Sequence, residues 1–200
     1  MASSRWEQGG ARGYNTAAII LHWLIALAIV VQVLLGWWMN EWVPDHSKIQ
    51  DQIQTVHISL GITILLLVLV RIAVRIFWPP PPIPSAIPPI ERFVAIATHT
   101  LFYILLLVIP LSGWLVVSLE SHPIHFWGLP WPHMPGAQAV FGNPAPRPLR
   151  KEITHIHVFI LIWIVLVTLA LHVVGALWGQ VGGQPVLWRM WPGAKPPRVR

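Results

Sequence analysis

Cysteine is absent from these 200 residues, and charge is scarce: only 10% of positions are Asp, Glu, Lys or Arg. Without a thiol there is no disulfide, no thiolate metal site, no iron–sulfur cluster and no covalent c-type haem attachment. A soluble domain carries about 25% charged residues, so this chain lacks the polar surface that water requires. Acidic residues are scarcer still, seven against thirteen basic ones, for a net charge of +6. That excess is not a nucleic-acid signal. The basic residues stand at the ends of apolar runs, where they suit membrane anchoring rather than a phosphate-binding face. What the chain has in quantity is apolar side chain, 55% of the total, and its length suits a single domain over residues 1–200.

About twenty apolar residues cross roughly 30 Å of hydrocarbon as a helix. Four stretches qualify, at residues 17–38, 56–77, 93–119 and 153–178, which predicts an all-α membrane protein built as a four-helix bundle. The first, third and fourth contain no Lys, Arg, Asp or Glu, and the second only Arg71 and Arg75 in its last two turns, within snorkelling reach of the interface. The first run is too long for a signal-peptide core and no small-residue cleavage site follows it, so it reads as a retained span. Pro79, Pro80, Pro81, Pro82, Pro84, Pro88 and Pro89 forbid helix between spans two and three. Trp37, Trp38, Trp42, Trp78, Trp178, Trp188 and Trp191 fall near span ends, as interfacial belts do.

The basic residues predict the orientation. Arg5, Arg12, Arg71, Arg75, Arg92, Arg189, Lys195, Arg198 and Arg200 fall on one side, against Lys48, Arg147, Arg150 and Lys151 on the other. Both termini are therefore expected in the cytoplasm, with residues 118–152 forming a long outer loop.

Six of the ten histidines lie in or at the edge of the spans. Polar groups there are costly and usually functional. With spans alternating in direction, His22, His99 and His172 share a cytoplasmic-side layer, while His57, His155 and His157 share an outer one. His157 and His172 are 15 residues apart, about 22 Å along a helix. Imidazoles facing one another across a bundle, with no thiol or carboxylate nearby, suit six-coordinate haem iron. Zinc or a di-iron centre would call for carboxylates that the spans do not provide. The plainer alternative for any one histidine is an interhelical hydrogen bond, and for the whole set a haem-free scaffold.

Several segments resemble the bacterial cytochrome b561 family, in order and over nearly the whole chain. They are YNTAAIILHW at 14–23, HISLG at 57–61 with Arg71 and Arg75 as RxxxR before the proline-rich connector, His99 with Tyr103 and Pro110, LHVVGAL at 171–177 and LWRMWP at 187–192. The resemblance implies two non-covalent b haems. His22 and His172 would hold one, and His57 with a histidine at the start of span four the other. In the family the two span-four histidines stand fourteen residues apart, where this chain has Val158; His157 sits at fifteen and His155 at seventeen. One residue turns a side chain by about 100° on a regular helix, so a bulge or a shift in the loop must compensate. His157 is expected to be the ligand, needing the smaller change in depth, with His155 the alternative. A histidine pair that often follows span four in the family is missing, and Gly179 and Gln180 stand there.

By the same resemblance His99 is a non-ligand held in reserve, and Arg71 and Arg75 meet haem propionates or act only as anchors. His122, His125 and His133, irregularly spaced and without acidic ligands, suit an interfacial loop better than a metal site. The function implied is electron transfer between an outer donor and ubiquinone or another quinone, in contact with the lipid bilayer and with no nucleic-acid partner. One activity in the family is superoxide oxidation, and Arg147, Arg150 and Lys151 beside the outer histidines would attract a small anion such as superoxide. The alternative is a cytochrome b subunit carrying electrons between a partner dehydrogenase or hydrogenase, as redox protein partner, and quinone.

Overall fold

The computed structural model describes residues 13–83, 87–182 and 187–191. Among the described residues are four helices long and apolar enough to cross a membrane. Helix α1 is Thr16–Glu41, α2 is Lys48–Phe77 and α3 is Pro89–Ser118. The fourth, Arg147–Val181, is composite: α5 (Arg147–His155), a π-helical turn (Ile156–Leu161) and α6 (Ile162–Val181). The short α4 (Ala137–Phe141) precedes it, and a 3₁₀ turn (Leu187–Met190) follows.

The helices overrun the apolar runs that announce them. Thirty residues, the length of α2 and of α3, measure about 45 Å against roughly 30 Å of hydrocarbon, so their ends reach the headgroups and water. Capping sets these ends. Asn15 Oδ1 accepts the Ala18 N–H at 2.7 Å. Ser47 Oγ accepts the Gln50 N–H at 3.1 Å while Gln50 Oε1 accepts the His46 N–H at 2.7 Å, a near capping box that starts α2 eight residues before its apolar run. Pro89 begins α3, where a missing N–H costs nothing.

Residues 118–152 are more ordered than a simple loop. Strands β1 (Ile124–Phe126) and β2 (Leu129–Trp131) pair as an antiparallel hairpin. Its tip is tied to α2: the Trp127 backbone N–H donates to Ser59 Oγ and its indole N–H to Thr63 Oγ1, each at 3.0 Å. The cations Arg147, Arg150 and Lys151, expected in that loop, instead stand on α5.

The chain forms two compact units, each taking one segment from every long helix. The first contains His22, His99 and His172; the second contains His57, His155 and His157.

Candidate functional site

In the first unit the His172 ring on α6 stands 6.2 Å, centre to centre, from His22 on α1 and 5.3 Å from His99 on α3. The Phe102 ring packs edge-on against His172 at 5.3 Å. His22 and His172 are half-buried, whereas His99 is exposed and turns its Nδ1 to the Ala95 carbonyl at 2.6 Å. Arg71 donates to the Ala18 carbonyl at 2.9 Å, one turn before His22. Arg75 lies over the Tyr103 ring at 5.2 Å. Arg71 is thus held beside the imidazoles, and Arg75 is held against α3.

A second feature of this unit departs from the sequence expectation. Arg189, counted there among interfacial cations, is buried. Its Nη2 donates to the Pro82 carbonyl at 3.1 Å, its guanidinium lies 6.0 Å from the Tyr14 ring centre, and its own carbonyl accepts the Tyr14 N–H at 3.3 Å. Burial lowers its pKa and the neighbouring Tyr14 opposes that shift. Next to it, the Trp23 indole donates to the Met190 carbonyl at 2.8 Å. These contacts clamp the 3₁₀ turn to α1 directly after His22. Arg189→Ala should lower the unfolding free energy by about 1–3 kcal/mol, the scale of a lost hydrogen bond from a charged group. A thermal melt in detergent checks this; an unchanged midpoint would mean that Arg189 holds nothing. The remaining tail cations Lys195, Arg198 and Arg200, the N-terminal Arg5 and Arg12, and also Pro84 and Pro192, lie outside the described residues.

In the second unit His57 on α2 and His157 in the π turn face each other with ring centres 6.4 Å apart and planes at 88°. The π turn supplies the bulge that the fifteen-residue spacing called for. It absorbs one extra residue, so His157 points inward from a position that a regular helix would give to its neighbour. His155 does not face His57. It is exposed and stacks on Phe159 at 5.3 Å.

Both rings of this pair rest where a neighbouring helix has no side chain. A Cβ on Gly36 would lie 3.1 Å from His57 Cε1, and one on Gly113 only 2.9 Å from His157 Cε1. Gln32 Nε2 donates to the His57 carbonyl at 2.9 Å. Ser112 Oγ is 2.8 Å from His157 Nδ1. Gly36, Gly113, Gln32 and Ser112 were not found from sequence. Their only signal is the small or polar residue opposite each histidine, which becomes visible once the helix pairing is known.

These residues fit haem. Two imidazoles on one metal at about 2.0 Å, each adding about 1.1 Å from nitrogen to ring centre, stand about 6 Å apart. The observed 6.2 Å and 6.4 Å agree with that. Among the described residues no group of three or more His, Cys, Asp or Glu is placed to hold a metal ion, so the donor set suits paired axial ligands rather than tetrahedral zinc.

The second unit has a cavity of about 530 Å³ lined by Glu120, Arg147, Arg150, Lys151, His155 and Phe159. Arg150 pairs with Glu120 at 3.8 Å. The loop histidines are dispersed: His122 faces Glu120 at 3.8 Å and His125 lies in β1.

The family described as prokaryotic cytochrome b561 matches residues 13–193. The chain is similar to cytochrome b561 homolog 2 of Escherichia coli (strain K12), with 31% identity over 137 residues, 65% of this chain and 71% of that protein. It is also similar to a probable superoxide oxidase CybB of Yersinia pestis, 28% identical over 122 residues, 60% of this chain and 66% of the relative.

Proposed function

The chain belongs to the prokaryotic cytochrome b561 family, and we propose that it carries electrons through two b haems between a donor at the outer face of a bacterial inner membrane and the quinone pool. The observation that carries the reading is the pair of facing imidazoles in each unit, at a spacing suited to one iron. His22 and His172 hold one haem, His57 and His157 the other, and His99 and His155 are not ligands. Arg71, fixed beside His22, is placed to neutralise a propionate by charge-assisted bonds, while Arg75 braces α3 through Tyr103. Each haem, when bound, supplies a one-electron carrier in a low-dielectric setting. The protein's part is to fix the ligand rings and to exclude water from them.

The positive-inside count supports cytoplasmic termini, which puts the His57–His157 pair toward the outer face. The cationic cavity of the same unit would then meet the donor. Superoxide is the candidate, consistent with the name of the Yersinia pestis relative. Two superoxide anions give up one electron each and leave as dioxygen, and one quinone takes both electrons with two protons from water. No bond to carbon is made or broken on the donor side, so no catalytic acid or base is needed there.

Neutralising Arg147, Arg150 and Lys151 together should slow superoxide-driven haem reduction about tenfold at low salt and flatten its salt dependence. Both haem spectra should stay intact. Stopped-flow mixing with oxidised protein and a soluble quinone analogue measures this. Reduction no faster than spontaneous dismutation would reject superoxide as donor and favour a membrane subunit serving a separate dehydrogenase or hydrogenase.

A further inference from the structure

At the Ser112–Gly113 step, α3 both makes room for a histidine ring and engages its nitrogen. Ser112 Oγ lies 2.7 Å from the Ile109 carbonyl and 2.8 Å from His157 Nδ1. A hydroxyl has one proton to donate, and a carbonyl only accepts. The proton therefore goes to Ile109, and the Ser112 lone pair faces His157, whose Nδ1 must carry the hydrogen. That leaves Nε2 with its lone pair, the form of imidazole that ligates iron. Gly113, next in sequence, supplies the space: a methyl there would come within 2.9 Å of His157 Cε1. The π turn brings His157 to this seat. The facing His57 ring meets the Gln32 backbone rather than a hydroxyl.

We propose that Ser112 is a positioning residue that holds His157 as an Nδ1-protonated, Nε2-ligating imidazole and thereby sets the potential of the haem between His57 and His157. This rests on His157 being an axial ligand. A hydrogen bond accepted from Nδ1–H raises the basicity of the ligand. A more basic ligand stabilises the ferric over the ferrous iron, so Ser112 holds that haem at a lower potential. Removing the hydroxyl raises it. The other haem, whose histidines belong to the other unit, is unaffected.

The test is a spectroelectrochemical titration of both haems in purified Ser112→Ala and Ser112→Thr proteins, with the haem content of each. Ser112→Ala should keep two haems and raise one potential by about 60 mV, the one-electron equivalent of a tenfold change in the oxidised-to-reduced ratio. The second potential should not move, and Ser112→Thr should restore the parent value. A purely structural serine would leave both potentials where they were, or move them together, and either result overturns the proposal. If Ser112→Ala loses the haem outright, Ser112→Thr decides: two haems at parent potentials support the seat, and loss or a shifted value refutes it. Failure of the underlying ligand assignment shows separately, as His157→Ala protein that retains both haems.

Discussion

His57→Ala protein is expected to purify with one b haem in place of two, and His22→Ala or His172→Ala protein to lose the other one. Losing a residue that hydrogen-bonds a metal ligand typically costs 10–100-fold in affinity, and removing the ligand itself costs more. A b haem has no covalent tether, and this chain has no cysteine to make one. Each single variant should therefore read one haem per chain by pyridine haemochrome, and His57→Ala with His172→Ala should read none. The surviving haem should keep its parent spectrum, because each pair sits within its own unit. The His22 and His172 variants also test His99. Its ring lies as near His172 as Phe102 does, at 5.3 Å, yet it is exposed. If His99 were the partner of His172, His22→Ala would keep both haems and His99→Ala would lose one. Parent protein with one haem or none would end the two-haem reading altogether.

The second large effect separates two histidines that are neighbours in sequence. His157→Ala should lose the same haem as His57→Ala, whereas His155→Ala should retain both. The reason lies in the π turn. On a regular helix, a fifteen-residue separation from His172 would rotate the ligand about 100° away from the fourteen-residue position. Ile156–Leu161 absorbs that residue, and His157 comes to face His57 at 6.4 Å while His155 stacks outward on Phe159. Loss of haem from His155→Ala with retention in His157→Ala would mean that the ligand sits two residues earlier. A double readout guards against misfolding, since the haem of the first unit must remain in both variants.

Membrane class and span number were legible from the sequence because hydrocarbon imposes a one-dimensional requirement. A run near twenty apolar residues either is present or is not, and four are. The two histidine layers were legible for a related reason, since depth along a spanning helix is a residue count. Helix ends were less so. The segment from Lys48 to Thr55 is largely polar and passes for loop by hydropathy, yet Ser47 and Gln50 cap it as helix. The α5 cations were likewise assigned to a loop, because a helix that continues into water loses its apolar signature.

Which residues surround each imidazole could not be read from depth alone, because depth says nothing of azimuth. Gly36 and Gly113 look like ordinary small residues in apolar runs until the opposing ring is placed on them. Arg189 looked like a lipid anchor until the 3₁₀ turn folded it against Pro82 and Tyr14. By itself, then, the sequence determined the spans, the absence of thiol chemistry and the layering of histidines, each a consequence of composition or spacing along one axis. The tertiary structure decided that His157 rather than His155 faces His57 and that Ser112 holds its Nδ1. Those depend on the rotation of one helix against another, which a single π turn resets by about 100° without altering the hydropathy of the chain.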